Sequence, residues 1–204
     1  RRAAGARAAT DLTALYNAPD VAMVQPSSDS SHGDVMDRDT ERQIISNIEQ
    51  HGWSVSGVMG EGGLPSWAHT IGLWHSYDHP EIIVFGLEME LVESVLQIAA
   101  TRVREGEDFE PGESNDELLE NHRVEFREVD DRWKSALMGY ASGFYDEKDF
   151  PAIQLFLPTN EGQFPWDDDF PTEIEDVQPL LYESDPESAH MERLLEALGE
   201  TDAT

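Results

Sequence analysis

Between Thr40 and Leu157 the apolar residues follow two periods, and the irregular order of those periods restricts the fold more than any other feature of the chain. Thr40 and Gln43 make a capping box, and Ile44, Ile45 and Ile48 fall on one helical face that Gly52 closes. Residues 53–58 and 67–74 alternate with period two around a turn rich in glycine (Gly60, Gly62, Gly63, Pro65), which is a hairpin pattern. Ile82–Phe85 is apolar throughout, as a strand covered on both faces is. From Leu87 to Glu105 the apolar positions Val92, Val95, Leu96, Ala99 and Val103 have helical spacing. Acids lead this segment, and Arg102 and Arg104 end it, an order that suits the helix dipole. Residues 107–121 read as an acidic loop with a short helix near Asn115–Glu120. Val124–Val129 alternates again, Trp133, Leu137, Tyr140 and Phe144 mark one further helix, and Ala152–Leu157 is the last strand. Helices and strands do not alternate regularly, so the expected fold is α+β: a mainly antiparallel sheet of about five strands with two or three packed helices, in a single domain.

The ends carry weaker patterns. Residues 1–39, with Pro19, Pro26 and the run Ser27–Ser31, read as a poorly ordered tail or linker. The core is expected over 40–182, its last part a loop rich in Pro and Asp. Residues 183–204 carry Met191, Leu194, Leu195 and Leu198 at helical spacing and read as a C-terminal helix or tail. A start without Met suggests a fragment or a processed product. The basic opening is followed by no apolar stretch, so it does not read as a secretory signal.

Charge narrows the function classes. With 43 acidic and 13 basic residues the formal charge is −30, a field that repels nucleic-acid phosphates and anionic membranes. Direct nucleic-acid binding and membrane binding are therefore not expected. A partner with a basic face is compatible with the acidity, and so is a solvated surface in a salty cytoplasm. Arginine dominates the bases, with lysine only at Lys134 and Lys148, which points to a GC-rich or halophilic source. The absence of cysteine excludes disulfides, thiolate metal sites and a cysteine nucleophile. A cytoplasmic location is the default expectation.

Candidate chemistry gathers between His51 and Glu81. His69, His75 and His79 are competent ligands for a divalent metal, and His69 and His75 would share a face if the second strand ran on to residue 75. Their spacing matches no specific metal signature, and a strand end with one structural hydrogen bond per imidazole is the simpler account. His79 and Glu81 flank Pro80, which could present an acid–base pair or simply make a rigid turn into the next strand. His51, Trp53, Trp67, Trp74, Tyr145 and Trp166 could line a ligand groove, and core packing is their plainer role. Asp167–Asp169 lacks the periodicity of a calcium loop, Gly60–Gly63 is no phosphate cradle, and the nucleophile-elbow motif is absent.

An ordered set of short motifs carries a family resemblance. It runs through His51-Gly52-Trp53, Trp67–Leu73, His79-Pro80-Glu81 with Phe85-Gly86-Leu87, Gly143-Phe144-Tyr145, Pro151–Gln154, Phe164-Pro165-Trp166 and Gln178-Pro179. By these residues the chain resembles the domain-of-unknown-function family 4262. The resemblance implies a bacterial cytosolic domain without an established reaction. It also implies a tyrosine where this chain has His69, a departure that weakens the three-histidine metal reading.

The expected function is therefore an accessory or binding domain, of immunity type for example, for a protein or small-ligand partner. The alternatives are an enzyme using His79 and Glu81, with or without a metal, and an acidic DNA mimic.

Overall fold

A computed structural model describes residues 38–60, 65–86, 89–119, 122–171 and 177–182. Most of the expected tail and all of the expected C-terminal segment lie outside these residues.

The first helix, α1 (Arg38–His51), starts two positions before the expected capping box. Ile44 and Ile48 are buried, whereas Ile45 points outward at 41% exposure, so the apolar stripe is narrower than the sequence suggested. Gly52 closes the helix at φ +95°, its amide bonding back to the Ile48 carbonyl. Strands β1 (Ser54–Val58) and β2 (Trp67–Ile71) form the expected antiparallel hairpin.

Three local readings are corrected. The second strand stops at Ile71, and residues 73–77 coil into a short helix, α2 (Leu73–Tyr77), because Gly72 adopts φ +104° and turns the chain. His75 therefore sits on a helix and not on the face of His69. After β3 (Glu81–Phe85) and the long helix α3 (Met89–Arg104), the acidic segment expected to be loop and short helix is a strand, β4 (Ser114–Leu119). It pairs antiparallel with β5 (His122–Glu128), and the Asn115 side chain accepts from the Glu117 and Leu118 amides where the register shifts. The single helix expected over Trp133–Phe144 is two, α4 (Asp131–Leu137) and α5 (Gly139–Phe144), broken at Met138 (φ −126°, ψ 41°).

The last strand, β6 (Ala152–Phe156), enters between β3 and β5, giving one sheet of order β1-β2-β3-β6-β5-β4. Only β3–β6 is parallel. Alternation along the strands sorts the core into two layers. Ala68, Ile82, Val84, Phe126 and Leu155 face α3, whose Val92, Val95, Leu96, Ala99 and Val103 are buried against them. Trp67, Ile71, Ile83, Phe85 and Ala152 face the opposite way, against Ile44 and Ile48 of α1, Trp133 and Leu137 of α4 and Ala141 of α5. Each of the larger of these side chains, Val, Leu, Ile or Phe, stabilises the fold by about 1.5–3 kcal/mol on burial.

Beyond β6 the chain returns along the sheet. Gln178 reproduces a strand pairing with its side chain: its amide oxygen accepts from the Leu157 N–H at 2.9 Å and its nitrogen donates to the Leu157 carbonyl at 2.8 Å. Gln154 does the same in reverse, donating to the Pro179 carbonyl at 2.7 Å and accepting from the Leu181 amide at 3.2 Å.

Candidate functional site

The start of β3 holds a fully buried carboxylate. Glu81 Oε2 accepts from the Thr70 hydroxyl at 2.6 Å, and Oε1 accepts from the amides of Gly72 at 2.8 Å and Trp74 at 3.2 Å. The Tyr145 hydroxyl donates to the same Oε1. Thr70 Oγ1 in turn accepts from the Ile82 amide at 2.9 Å. Glu81 thus supplies, from a neighbouring strand, the acceptor that the first turn of α2 lacks in its own sequence. Burial pushes the Glu81 carboxyl above its ordinary range, and its donors pull the other way. Burial, then the charge and hydrogen bond of Glu81, push the Tyr145 phenol up.

The histidines are spread over different surroundings. His79 is buried, with Nδ1 donating to the Pro80 carbonyl at 2.7 Å and Nε2 accepting from the Phe109 amide at 3.1 Å. Both ring nitrogens are engaged in the neutral form, and burial lowers the pKa although the Pro80 carbonyl and Asp108 oppose it. His69 is 1% exposed, donates from Nδ1 to the Thr70 carbonyl at 3.1 Å, and is lowered by burial to about 4. His75 lies exposed on α2, edge-on to Phe144. His79 and Glu81 face different partners: one braces the approach to β4, the other ties α2 to the end of α5. Among the described residues no group of three His, Asp or Glu side chains is placed to hold a metal ion.

The six candidate groove residues separate as well. Trp53 is enclosed and donates to Gln97 of α3 at 3.0 Å, and Trp67 donates to the Leu137 carbonyl at 2.9 Å. The His51 carbonyl accepts from Tyr77. Trp166 stacks on Phe164 at 5.0 Å and lies under Arg127 at 4.5 Å. Only Trp74 and Tyr145 meet, at 5.2 Å, beside Glu81.

Tyr145 leads from this network to the largest opening among those described. Its ring packs on Phe150 at 4.9 Å, and Phe150 lines a cleft of about 830 Å³ between α4, α5 and the loop that follows them. That volume is in the range of small-ligand sites. Both lysines of the chain lie here, with Asp131, Glu147, Asp149, Ser135 and Ser142. Lys134 is not a free cation. Its ammonium donates to Asp149 at 2.9 Å and to the Phe150 carbonyl at 2.6 Å and pairs with Asp131 at 2.5 Å, which occupies its three protons. Burial alone would lower this ammonium, but the bonds to Asp131 and Asp149 outweigh it and raise the pKa. Lys148 is exposed beside Asp146. Counting charges, three lining carboxylates face two lysines, and Lys134 is committed to two of those carboxylates, Asp131 and Asp149.

The wall of the cleft after α5 is a tight turn. The Lys148 amide bonds to the Tyr145 carbonyl, with Asp146 at φ +55° and Glu147 at φ +56° between them. Two successive left-handed residues belong to a type I′ turn, where Asn and Gly are the usual occupants.

None of these cleft residues was singled out from the sequence as a site. The one available signal was the confinement of lysine to positions 134 and 148, which reads there as a compositional trait.

Three layers around an open six-stranded sheet, with one parallel pair, define an α+β domain. The family model described as Domain of unknown function (DUF4262) matches residues 47–171, and the chain belongs to that family. No curated protein matches the chain, and no solved structure does. No helix among the described residues is long and apolar enough to cross a membrane.

Proposed function

We propose that this chain is a non-catalytic binding domain for a positively charged polypeptide partner, received in the cleft between α4, α5 and the turn at 145–148. The observation that carries the reading is the chemistry of that cleft. It is roomy, floored by Phe150, and lined by three carboxylates, two of them paired with Lys134, against two lysines, which leaves a small negative excess. An anionic ligand would meet both this local excess and the overall −30 charge. The groups on which acid–base chemistry would rest support binding over catalysis, since Glu81, His79 and His69 are buried and engaged in internal hydrogen bonds.

The test is a fluorescence-anisotropy titration with a labelled tetra-arginine peptide and its tetra-citrulline counterpart, which keeps the shape and removes the charge. Saturable binding of the arginine peptide at one per chain, weakening as salt is raised, is expected. Equal affinity for both peptides, or no saturation, would overturn the proposal.

A further inference from the structure

We infer that His79 is a proton-operated latch on the connection between α3 and β4: on taking a second proton the ring releases the Phe109 amide, turns to Asp108, and frees the middle of residues 105–113. The connection is tied at both ends. The Glu107 amide bonds to the Arg102 carbonyl at 3.0 Å, and the Gly112 amide bonds to the Phe126 carbonyl of β5 at 2.7 Å. Between them, the backbone bond that reaches the body of the domain, among the described residues, is Phe109 N–H to His79 Nε2 at 3.1 Å. Phe109 is 2% exposed, edge-on to His79 and stacked on Phe126 in the layer under α3.

The latch follows from which atoms can carry a proton. Nδ1 is committed as a donor to the Pro80 carbonyl, so Nε2 accepts from Phe109 only while the ring is neutral. A proton on Nε2 sets two donors face to face, and they must part. Asp108 Oδ1 stands 3.8 Å from the same nitrogen on a 72% exposed side chain, near enough to take the new N–H after a small rotation. The other charged groups nearby are placed elsewhere. Asp78 is exposed, Glu81 is held by Thr70 and Tyr145, Glu107 by Arg102 and Asn115, and Arg104 of α3 lies over Trp53. Burial holds the ring below the ordinary imidazole range, against the opposing pull of Pro80 and Asp108. The latch is therefore closed at neutral pH, and the stability it lends is lost as pH falls through the folded value.

The experiment is an NMR titration of the isotopically labelled protein from about pH 7.5 to about pH 4.5, following the His79 ring nitrogens and the Phe109 amide proton. The two are expected to move with one midpoint, the Phe109 proton upfield as its bond is lost, while the Phe126 amide, bonded to the Glu113 carbonyl, stays in place. Asp108→Asn, at an exposed position, is expected to lower that shared midpoint by about half a pH unit. A His79 ring that titrates with the Phe109 amide unmoved would overturn the inference. So would an unchanged midpoint in Asp108→Asn, or a Phe109 shift that occurs only together with loss of the Trp53 and Trp67 indole signals, which marks global unfolding.

Discussion

His69 offers a stability switch whose size follows from its burial. His69 lies on β2 between β1 and β3, paired across the sheet with Ser56, whose buried hydroxyl has no hydrogen-bond partner among the described residues, and with Ile83. Its Nδ1–H is used on the Thr70 carbonyl, and among the described residues no carboxylate answers a second proton, so burial takes the folded pKa from 6.5 to about 4. In the unfolded chain the imidazole takes up its proton near the ordinary value. As pH drops below 6.5 the unfolded state therefore binds a proton that the folded state refuses, and stability falls until the folded ring also titrates near 4. The His69 contribution is complete above that window and gone below it. With 1.36 kcal/mol per pKa unit, the loss across the window is about 3 kcal/mol, a large part of the 5–15 kcal/mol that typically separates folded from unfolded domains. The assay is urea unfolding followed by tryptophan fluorescence at closely spaced pH values, for the wild type and His69→Gln. Glutamine keeps a donor for the Thr70 carbonyl and cannot titrate. His79, also lowered by burial, and the carboxylates contribute to both curves, so the difference between them isolates His69. The wild-type curve is expected to fall more steeply, by about 3 kcal/mol in all. Parallel curves would refute the reasoning, whatever the absolute stability of the variant.

Glu81→Ala leaves the Thr70 and Tyr145 hydroxyls and the Gly72 and Trp74 amides without their acceptor, and a loss of about 4 kcal/mol or more is expected in urea unfolding; a loss under about 1 kcal/mol would contradict the capping role. Gln178→Ala removes both bonds to Leu157, so a loss of about 2 kcal/mol is expected, with faster hydrogen exchange at the Leu157 amide. Unchanged exchange there would show that Gln178 does not pin the returning chain.

Much of the architecture was legible because pattern and packing agree. Val92, Val95, Leu96, Ala99 and Val103 are the inner stripe of α3, and Ile82–Phe85 needed cover on both faces and has it. The misreadings fall where a distant group decides local structure. Trp67–Trp74 alternates well enough for one strand, but Glu81 captures the Gly72 and Trp74 amides and starts a helix. Polar, acidic Ser114–Leu119 becomes a strand because β5 supplies its ladder. Leu137 and Tyr140 fit one helical period across a break at Met138 that no periodicity reveals.

The motifs that marked the family turn out to hold the fold together. Gly52 and Gly72 adopt positive φ, Trp67 reaches the Leu137 carbonyl, His79 receives the Phe109 amide, and Glu81 and Tyr145 join β3 to α5. Gln154 and Gln178 clasp the returning chain. Histidines close in sequence suggested shared chemistry, yet the rings of His69, His75 and His79 each meet different partners. The cleft was hidden for the opposite reason: Asp131, Lys134, Glu147 and Asp149 look like ordinary surface charges until two helices and a turn bring them around Phe150.

The most direct measurement is a map of backbone amide chemical shifts in the isotopically labelled protein as tetra-arginine peptide is added. Shifts are expected to concentrate in α4, α5 and residues 145–150, saturating together at one peptide per chain. Small, unsaturating shifts scattered over the acidic surface, with the amides around Phe150 unmoved, would contradict the placement of the binding site.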